Sequence, residues 1–443
     1  MNLSAPGATL RSIGTIGLLT GVAYLASIVR DAVLAAYYGG SAPLDIYFIA
    51  LAPSQFLGME IASLAYLAFL PEFSRSLGND DYGAVTRLLR ERFALAFKGT
   101  LTVAILVTLG GLILARVLAP GYVEHGALQA VRLSFACLSV LVPMLGVMGV
   151  LRAFLEAQGR FGPWAVLPAF RSGVLSVVVV LSAVNPSIVW LILGSSLGAG
   201  AGLAYTWLTA RALPSYTSAR LDPRPREGNP LPTSLAPLIA ALFVGQGTAL
   251  LDNAFASLTG VGGVQAFALA SNLLVIPQAL VTGAVATVYF PVYGAHLALG
   301  KRANALSSLR RSIRLVVWGA IPVVLLFCTS LGTTVVRMIY HRGAFDNQMV
   351  LLVSQTAAGL SLGLAPYACM VLLRQYLLVA DAPWLVFHAA TVFFAVKWLG
   401  NWALTTSFGT PGIALSSSIA ALTACAYLTS RVIWSSRSLG RVM

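Results

Sequence analysis

Seven ionisable side chains lie inside stretches that are otherwise apolar: Arg30, Asp31, Glu60, Arg171, Asp252, Arg374 and Lys397. Arg132, Arg152 and Glu156 fall nearer the ends of another such stretch. A charge at the centre of a bilayer costs roughly 3 kcal/mol on insertion scales, so such a group faces a cavity or a partner. Cations outnumber acids in this set. A cavity built from them suits an anionic passenger, and guanidinium groups match pyrophosphate oxygens in fork geometry. Structural roles compete with this reading. Arg152 and Glu156 are four residues apart on one helix and can pair locally. Arg30 beside Asp31 either locks helix contacts as an ion pair or serves a passage. Arg374 lies near the inner end of its stretch and can snorkel, whereas Arg171 and Lys397 are deeper.

Catalytic chemistry has no comparable set. His125, His296, His341 and His388 are isolated, and no Ser/His/Asp or Cys/His arrangement is visible. GAHLALGKR has five residues where a phosphate-binding loop has four, and Arg302 stands where that loop needs a hydroxyl. With no ATP site or cofactor expected, energy for transport would come from sodium or proton gradients, the membrane potential or the substrate gradient.

The elements that must hold these charges are membrane helices. Hydrophobic residues make up 58% and charged residues 9% of 443 positions, with mean hydropathy +0.85, too apolar to cover a water-soluble globule. Runs of about twenty apolar residues predict twelve helices, at 12–38, 44–72, 93–118, 126–156, 161–184, 187–210, 232–258, 265–292, 313–340, 349–380, 384–406 and 411–434. The chain also repeats: Asp31 is answered by Asp252, Pro71 by Pro291 and Arg116 by Arg337, at offsets of 221, 220 and 221 residues. This predicts an all-α polytopic membrane protein with two homologous six-helix lobes, 1–210 and 232–443, around a central cavity, joined by a cytoplasmic linker at 211–231. Duplicated membrane folds of this kind are transporters with a site at the repeat interface.

With both termini in the cytoplasm, eighteen basic residues fall on that side against three on the other, which satisfies the positive-inside rule. The net charge of +14 thus points to anionic membrane lipids and to no nucleic acid. The segment before the first helix has one basic residue and no small-residue cleavage site, so the first span is expected to be retained. Basic residues a turn apart in TRLLRERFALAF and SLRRSIRLVVW predict short amphipathic helices at the inner surface. Prolines at 53, 143, 168, 277, 322 and 366 predict bends. The four cysteines have no metal-ligand spacing and read as packing residues.

Several strings carry more specific information: VRDAVLAAYYGGSAPLDIYF at 29–48, AFLPEFSR at 68–75, LDNAFASLTG at 251–260, GAVATVYFP at 283–291 and HRGAFD at 341–346. In this order they resemble the signature segments of the MurJ/MviN family, within the multidrug/oligosaccharidyl-lipid/polysaccharide flippase superfamily. The resemblance implies a V of two lobes in the bacterial inner (cytoplasmic) membrane. It also implies alternating access and translocation of an undecaprenyl-pyrophosphate-linked saccharide: lipid II for peptidoglycan biosynthesis, or an exopolysaccharide or other cell-wall glycan repeat unit. By resemblance Arg30 and Asp31 match the family's Arg-Asp pair and Asp45 the acid opening the second helix. Three places where the family carries arginine hold Tyr24, Leu57 with Gly58, and Asn272 instead. Those losses shift the expected cargo toward a glycan other than lipid II. Family members often have two further C-terminal helices, whereas this sequence stops about nine residues beyond its twelfth predicted span.

Some relatives in the family resemble sodium-coupled exporters, with an acid on the seventh helix and polar ligands on the eleventh and twelfth. Asp252 matches the acid and Asn401 a polar ligand, but Lys397 lies one turn before Asn401 on the same face. An ammonium at Asp252 would occupy the place and charge of the ion. An internal Asp252–Lys397 pair is the sharper expectation, and a Lys397 facing elsewhere the plainer one. A monomer is expected, with envelope-synthesis proteins as candidate partners. Competing functions are a non-transporting scaffold for such proteins, a drug exporter of the same superfamily, and a glycan polymerase or ligase, which the short outer loops argue against.

Overall fold

The computed structural model describes residues 6–78, 82–213 and 236–439, and every regular element among them is helical. In hydrocarbon no water satisfies backbone polar groups, so a spanning segment must close its hydrogen bonds internally. The apolar runs accordingly become helices. In chain order these are α1 Pro6–Tyr38, α2 Ala42–Gly78, α3 Tyr82–Leu109, α4 Gly111–Leu118, α5 Pro120–Glu124, α6 Leu128–Leu138, α7 Leu141–Ala157, α8 Gly162–Leu181 and α9 Ile188–Arg211. The second series is α10 Ala236–Ser257, α11 Gly263–Gln278, α12 Ala284–Ala298, α13 Arg302–Cys328, α14 Ser330–Tyr340, α15 Asn347–Leu362, α16 Leu364–Val379, α17 Pro383–Phe408 and α18 Thr410–Leu439.

Among the described residues ten helices are long and apolar enough to cross a membrane, or eleven when the bent pair α15 and α16 counts as one span. Over its described residues each predicted run corresponds to helix, but several are broken. Ser139 and Val140 interrupt the fourth run, and Gly363 the tenth, where α15 and α16 meet at 42°. Pro143 and Pro366 explain both breaks, because a proline ring clashes with the carbonyl four residues back, here Ser139 and Leu362. The third and ninth runs break at Gly110 and Thr329, leaving Arg116 and Arg337 on the equivalent short helices α4 and α14. Pro277 precedes a π-helical turn, Ala279–Gly283, between α11 and α12.

The chain divides into two compact units, Met1–Tyr38 with Ala42–Leu231, and Gly39–Ser41 with Pro232–Met443. In the first, α2 packs on α7 and α1 on α8. The closest approach is at Gly149, where an added Cβ would run into the Ala62 backbone, so glycine lets the two helices touch. In the second, α17 packs between α10 and α18, and a core including Tyr293, Val316, Leu372 and Val386 joins α12, α13, α16 and α17.

Two expectations need correcting. The basic segments before the third and ninth spans are not separate amphipathic helices: they are the opening turns of α3 and α13, because no breaker divides them from the apolar residues that follow. Cys137 and Cys328 are exposed instead of packed, Cys425 is half-buried, and Cys369 is buried. The predicted linker 211–231 lies, from residue 214 on, outside the described residues.

Candidate functional site

The second unit holds the more elaborate arrangement. Asp252 on α10 and Lys397 on α17 form an ion pair of 2.7 Å, with 4% and 6% of the side chains exposed. Asn401, one turn beyond Lys397 on the same face, donates from Nδ2 to Asp252 Oδ1 at 3.1 Å. Lys397 Nζ also donates to Ser417 Oγ on α18 at 2.8 Å, and lies 5.6 Å from the centre of the Phe393 ring. Ser416, next on α18, donates its hydroxyl to Asn401 Oδ1. The Asp252 carboxylate thus receives one ammonium and one amide. This is the condition under which a charge pair survives away from water.

Asp252, Lys397 and Ser417 of this network line a cavity of about 520 Å³ bounded by α10, α11, α15, α16, α17 and α18, together with Arg374 on α16 and Gln278 at the end of α11. Asn272 is on α11, half-buried, and does not line the cavity.

In the first unit the acid equivalent to Asp252 is neutralised differently. Asp31 is fully buried, and its partner is its own neighbour: Arg30 donates from Nε at 2.8 Å and from Nη2 at 2.6 Å to the same oxygen, Oδ1. The Arg30 side chain keeps 22% exposure. Tyr47 on α2 lies within electrostatic reach of Arg30, Asp31 and Arg171 and shares a 2.6 Å hydrogen bond with Ser195 on α9. Arg171 on α8 donates to Gln55 Oε1 at 3.1 Å. The structure therefore gathers Arg30, Asp31 and Arg171 in one unit, as helices α1, α2, α8 and α9 converge.

Asp45 and Glu60 are also on α2. Asp45 is buried and accepts a 2.5 Å hydrogen bond from the Tyr122 hydroxyl. Burial, and then the Asp45 charge beside it, push that phenol well above the ordinary tyrosine range. Asp45 and Tyr122 thereby tie α2 to α5. Glu60 is buried on α2. Arg152 pairs with Glu156 at 2.8 Å, as the spacing predicts, and is stacked 4.1 Å from the Tyr66 ring centre and 4.6 Å from that of Trp164. It is a packed structural cation.

Sequence reasoning missed Tyr47, Ser195, Tyr122, Ser417 and the cavity residues Gln278 and Tyr367. The run Ser416-Ser417-Ser418 inside an apolar helix was a usable signal, since hydroxyls there seek partners across helices. Tyr47 and Tyr367 gave none, because tyrosine is common in membrane helices.

Comparison with known proteins agrees with this architecture. The family model described as "Lipid II flippase MurJ" matches residues 34–438. A probable lipid II flippase MurJ from Rhizobium meliloti (strain 1021) is 23% identical over 383 residues, covering 83% of this chain and 69% of the relative. Among solved structures, one of "Lipid II flippase MurJ, inward closed conformation" aligns with a TM-score of 0.77 at 20% identity, over 94% of this chain and 87% of that one. An inward-facing multidrug resistance MATE family transporter of the MOP superfamily aligns with a TM-score of 0.63 at 14% identity, over 95% and 94%. The structural likenesses speak for the fold, and the family match runs over nearly the whole chain: the chain belongs to the lipid II flippase MurJ family, multi-pass membrane proteins that act as transporters and not as enzymes.

Proposed function

We propose that the protein carries an undecaprenyl-pyrophosphate-linked saccharide from the inner to the outer leaflet of the bacterial cytoplasmic membrane by alternating access. Its cargo is an envelope or exopolysaccharide repeat unit in preference to lipid II. Both termini face the cytoplasm in this reading, which the eighteen-to-three distribution of basic residues supports. The pyrophosphate is met by Arg30, poised by Asp31, with Arg171 beside it.

One observation carries the choice of cargo. Where the resemblance leads one to expect arginine, Gly58 packs so tightly that even a Cβ would come 2.8 Å from the Leu145 Cβ. The position is filled by the α2–α7 contact and leaves no seat for a cavity cation. A pocket with fewer cations suits a different head group. Complementation of a strain depleted of its MurJ decides: growth would overturn the preference. Flux of an exopolysaccharide-type lipid in proteoliposomes without complementation would support it, and no flux of any lipid-linked saccharide would favour a scaffold.

Coupling follows from the second unit. The Lys397 ammonium occupies the one charge position beside Asp252, and a sodium ion there would meet strong repulsion. Transport is therefore sodium-independent and driven by protons or the membrane potential. Flux that rises with sodium in the native protein would defeat this, whereas sodium dependence appearing only in Lys397→Asn would support it.

A further inference from the structure

Part of the cavity wall in the second unit is left unused by the Asp252–Lys397 network. Four polar side chains line it, Ser271, Gln278, Tyr367 and Arg374, each partly exposed. Among the described residues these side chains make no hydrogen bond or ion pair. A guanidinium without a carboxylate inside an apolar bundle is costly unless water or a ligand meets it. The backbone is also irregular here: Gln278 is the last residue before the π-helical turn Ala279–Gly283, and such turns concentrate at functional positions. Phe393 and Tyr367 add flat apolar faces to the wall.

Charge and size narrow the occupant. Among the described residues that line the cavity, those charged at neutral pH are Asp252, Lys397 and Arg374, and they sum to a single positive charge. Because Lys397 is held by Asp252 at 2.7 Å, that charge resides on Arg374. A monocarboxylate balances it in the fork geometry of a guanidinium, whereas a pyrophosphate would leave uncompensated negative charge in low dielectric. The volume of about 520 Å³ lies within the roughly 300–1,000 Å³ of small-molecule sites. Hydroxyl, amide and aromatic groups around one arginine are what a sugar ring with a carboxylate requires.

We infer that this cavity is a saccharide subsite selective for an acidic sugar, its carboxylate bound by Arg374 and its hydroxyls by Ser271, Gln278 and Tyr367. The inference rests on the flippase reading above and specifies the chemistry of the glycan it carries. Arg374 then acts as the specificity determinant, separate from the pyrophosphate contact at Arg30.

The test is binding by the full-length protein in nanodiscs of soluble probes: cellobiouronate, cellobiose and inorganic pyrophosphate. Cellobiouronate should bind at least about tenfold more tightly than cellobiose. Arg374→Gln should lose on the order of 10- to 100-fold for cellobiouronate with little change for cellobiose, and Arg374→Lys should recover part of that loss. Equal binding of the acidic and neutral disaccharides by the native protein overturns the inference, and this comparison stands even if a variant fails to fold. Pyrophosphate binding that depends on Arg374 as strongly as cellobiouronate binding also overturns it, by assigning the cavity to phosphate. The two readings fail separately. Absent acidic preference with intact flux of a neutral lipid-linked saccharide removes only this inference, whereas intact preference without flux removes only the flippase assignment.

Discussion

Asp31 and Asp252 occupy equivalent places in the two halves, yet each half neutralises its acid in its own way. In the first unit the cation is the adjacent residue on the same helix, it uses one carboxylate oxygen, and it remains 22% exposed. In the second the cation comes from another helix, both groups are buried, and an amide and two serine hydroxyls complete the network. A pair within one helix fixes a local charge without fixing helix positions. A pair across α10 and α17 ties two helices together and withdraws the lysine from other chemistry. The repeat thus carries one acid twice, paired within a helix in one half and across two helices in the other.

The largest effect should come from breaking the pair across helices. Lys397→Asn leaves Asp252 buried without its cation, a loss of about 3–5 kcal/mol, measured as denaturant or thermal unfolding of the purified protein in sodium-free buffer. Asp252→Asn in the same chain should restore most of that stability, and added sodium should restore part of it in the single variant. An unchanged unfolding transition in Lys397→Asn would break the comparison, because the pair would then carry no structural load.

Arg30→Ala should be the next largest, and of a different kind: transport is abolished while the protein stays inserted, with stability reduced by about 1.5–3 kcal/mol for the lost charged hydrogen bonds. Arg30→Lys should recover only part of the flux, since lysine lacks the fork. Normal flux in Arg30→Ala would end the idea that the first unit keeps its cation for the cargo.

Packing within the first unit gives a third comparison. Gly149→Val forces a side chain into the Ala62 backbone and should cost about 1–3 kcal/mol, whereas the same change at Gly200, with nothing within 4 Å, should be tolerated in the same unfolding assay. Similar losses at both would show that close approach of α2 and α7 is not what makes Gly149 necessary.

The smallest effect is expected at the exposed arginines of α13. Replacing Arg310, Arg311 and Arg314 together by glutamine should weaken association with anionic lipid, each residue contributing up to about 1 kcal/mol, and lower flux modestly without shifting the unfolding transition. Unchanged flux and lipid association would leave these residues with a topological role only.

Legibility in the sequence followed the range of each interaction. The pairing of Arg152 with Glu156 could be read from spacing, because residues four apart share a helix face. The contact between Tyr47 and Ser195 is separated by 148 residues and left no periodic trace. Lys397 was intermediate: its face could be placed relative to Asn401, but whether that face met Asp252 depended on how α10 packs on α17.

The sequence by itself determined that the chain is helical and membrane-spanning, that it is built twice, which prolines stand within its spans, and which charges lie in apolar surroundings. All of these follow from composition and from interactions within a few residues. The tertiary structure alone decided that Arg30 turns to its own neighbour while Lys397 reaches across helices, that Gly58 is filled by packing, and that Arg374 lines a cavity together with Ser271 and Tyr367. Those outcomes depend on which helix faces meet, and in an apolar medium close packing selects them among many faces of nearly equal hydrophobicity.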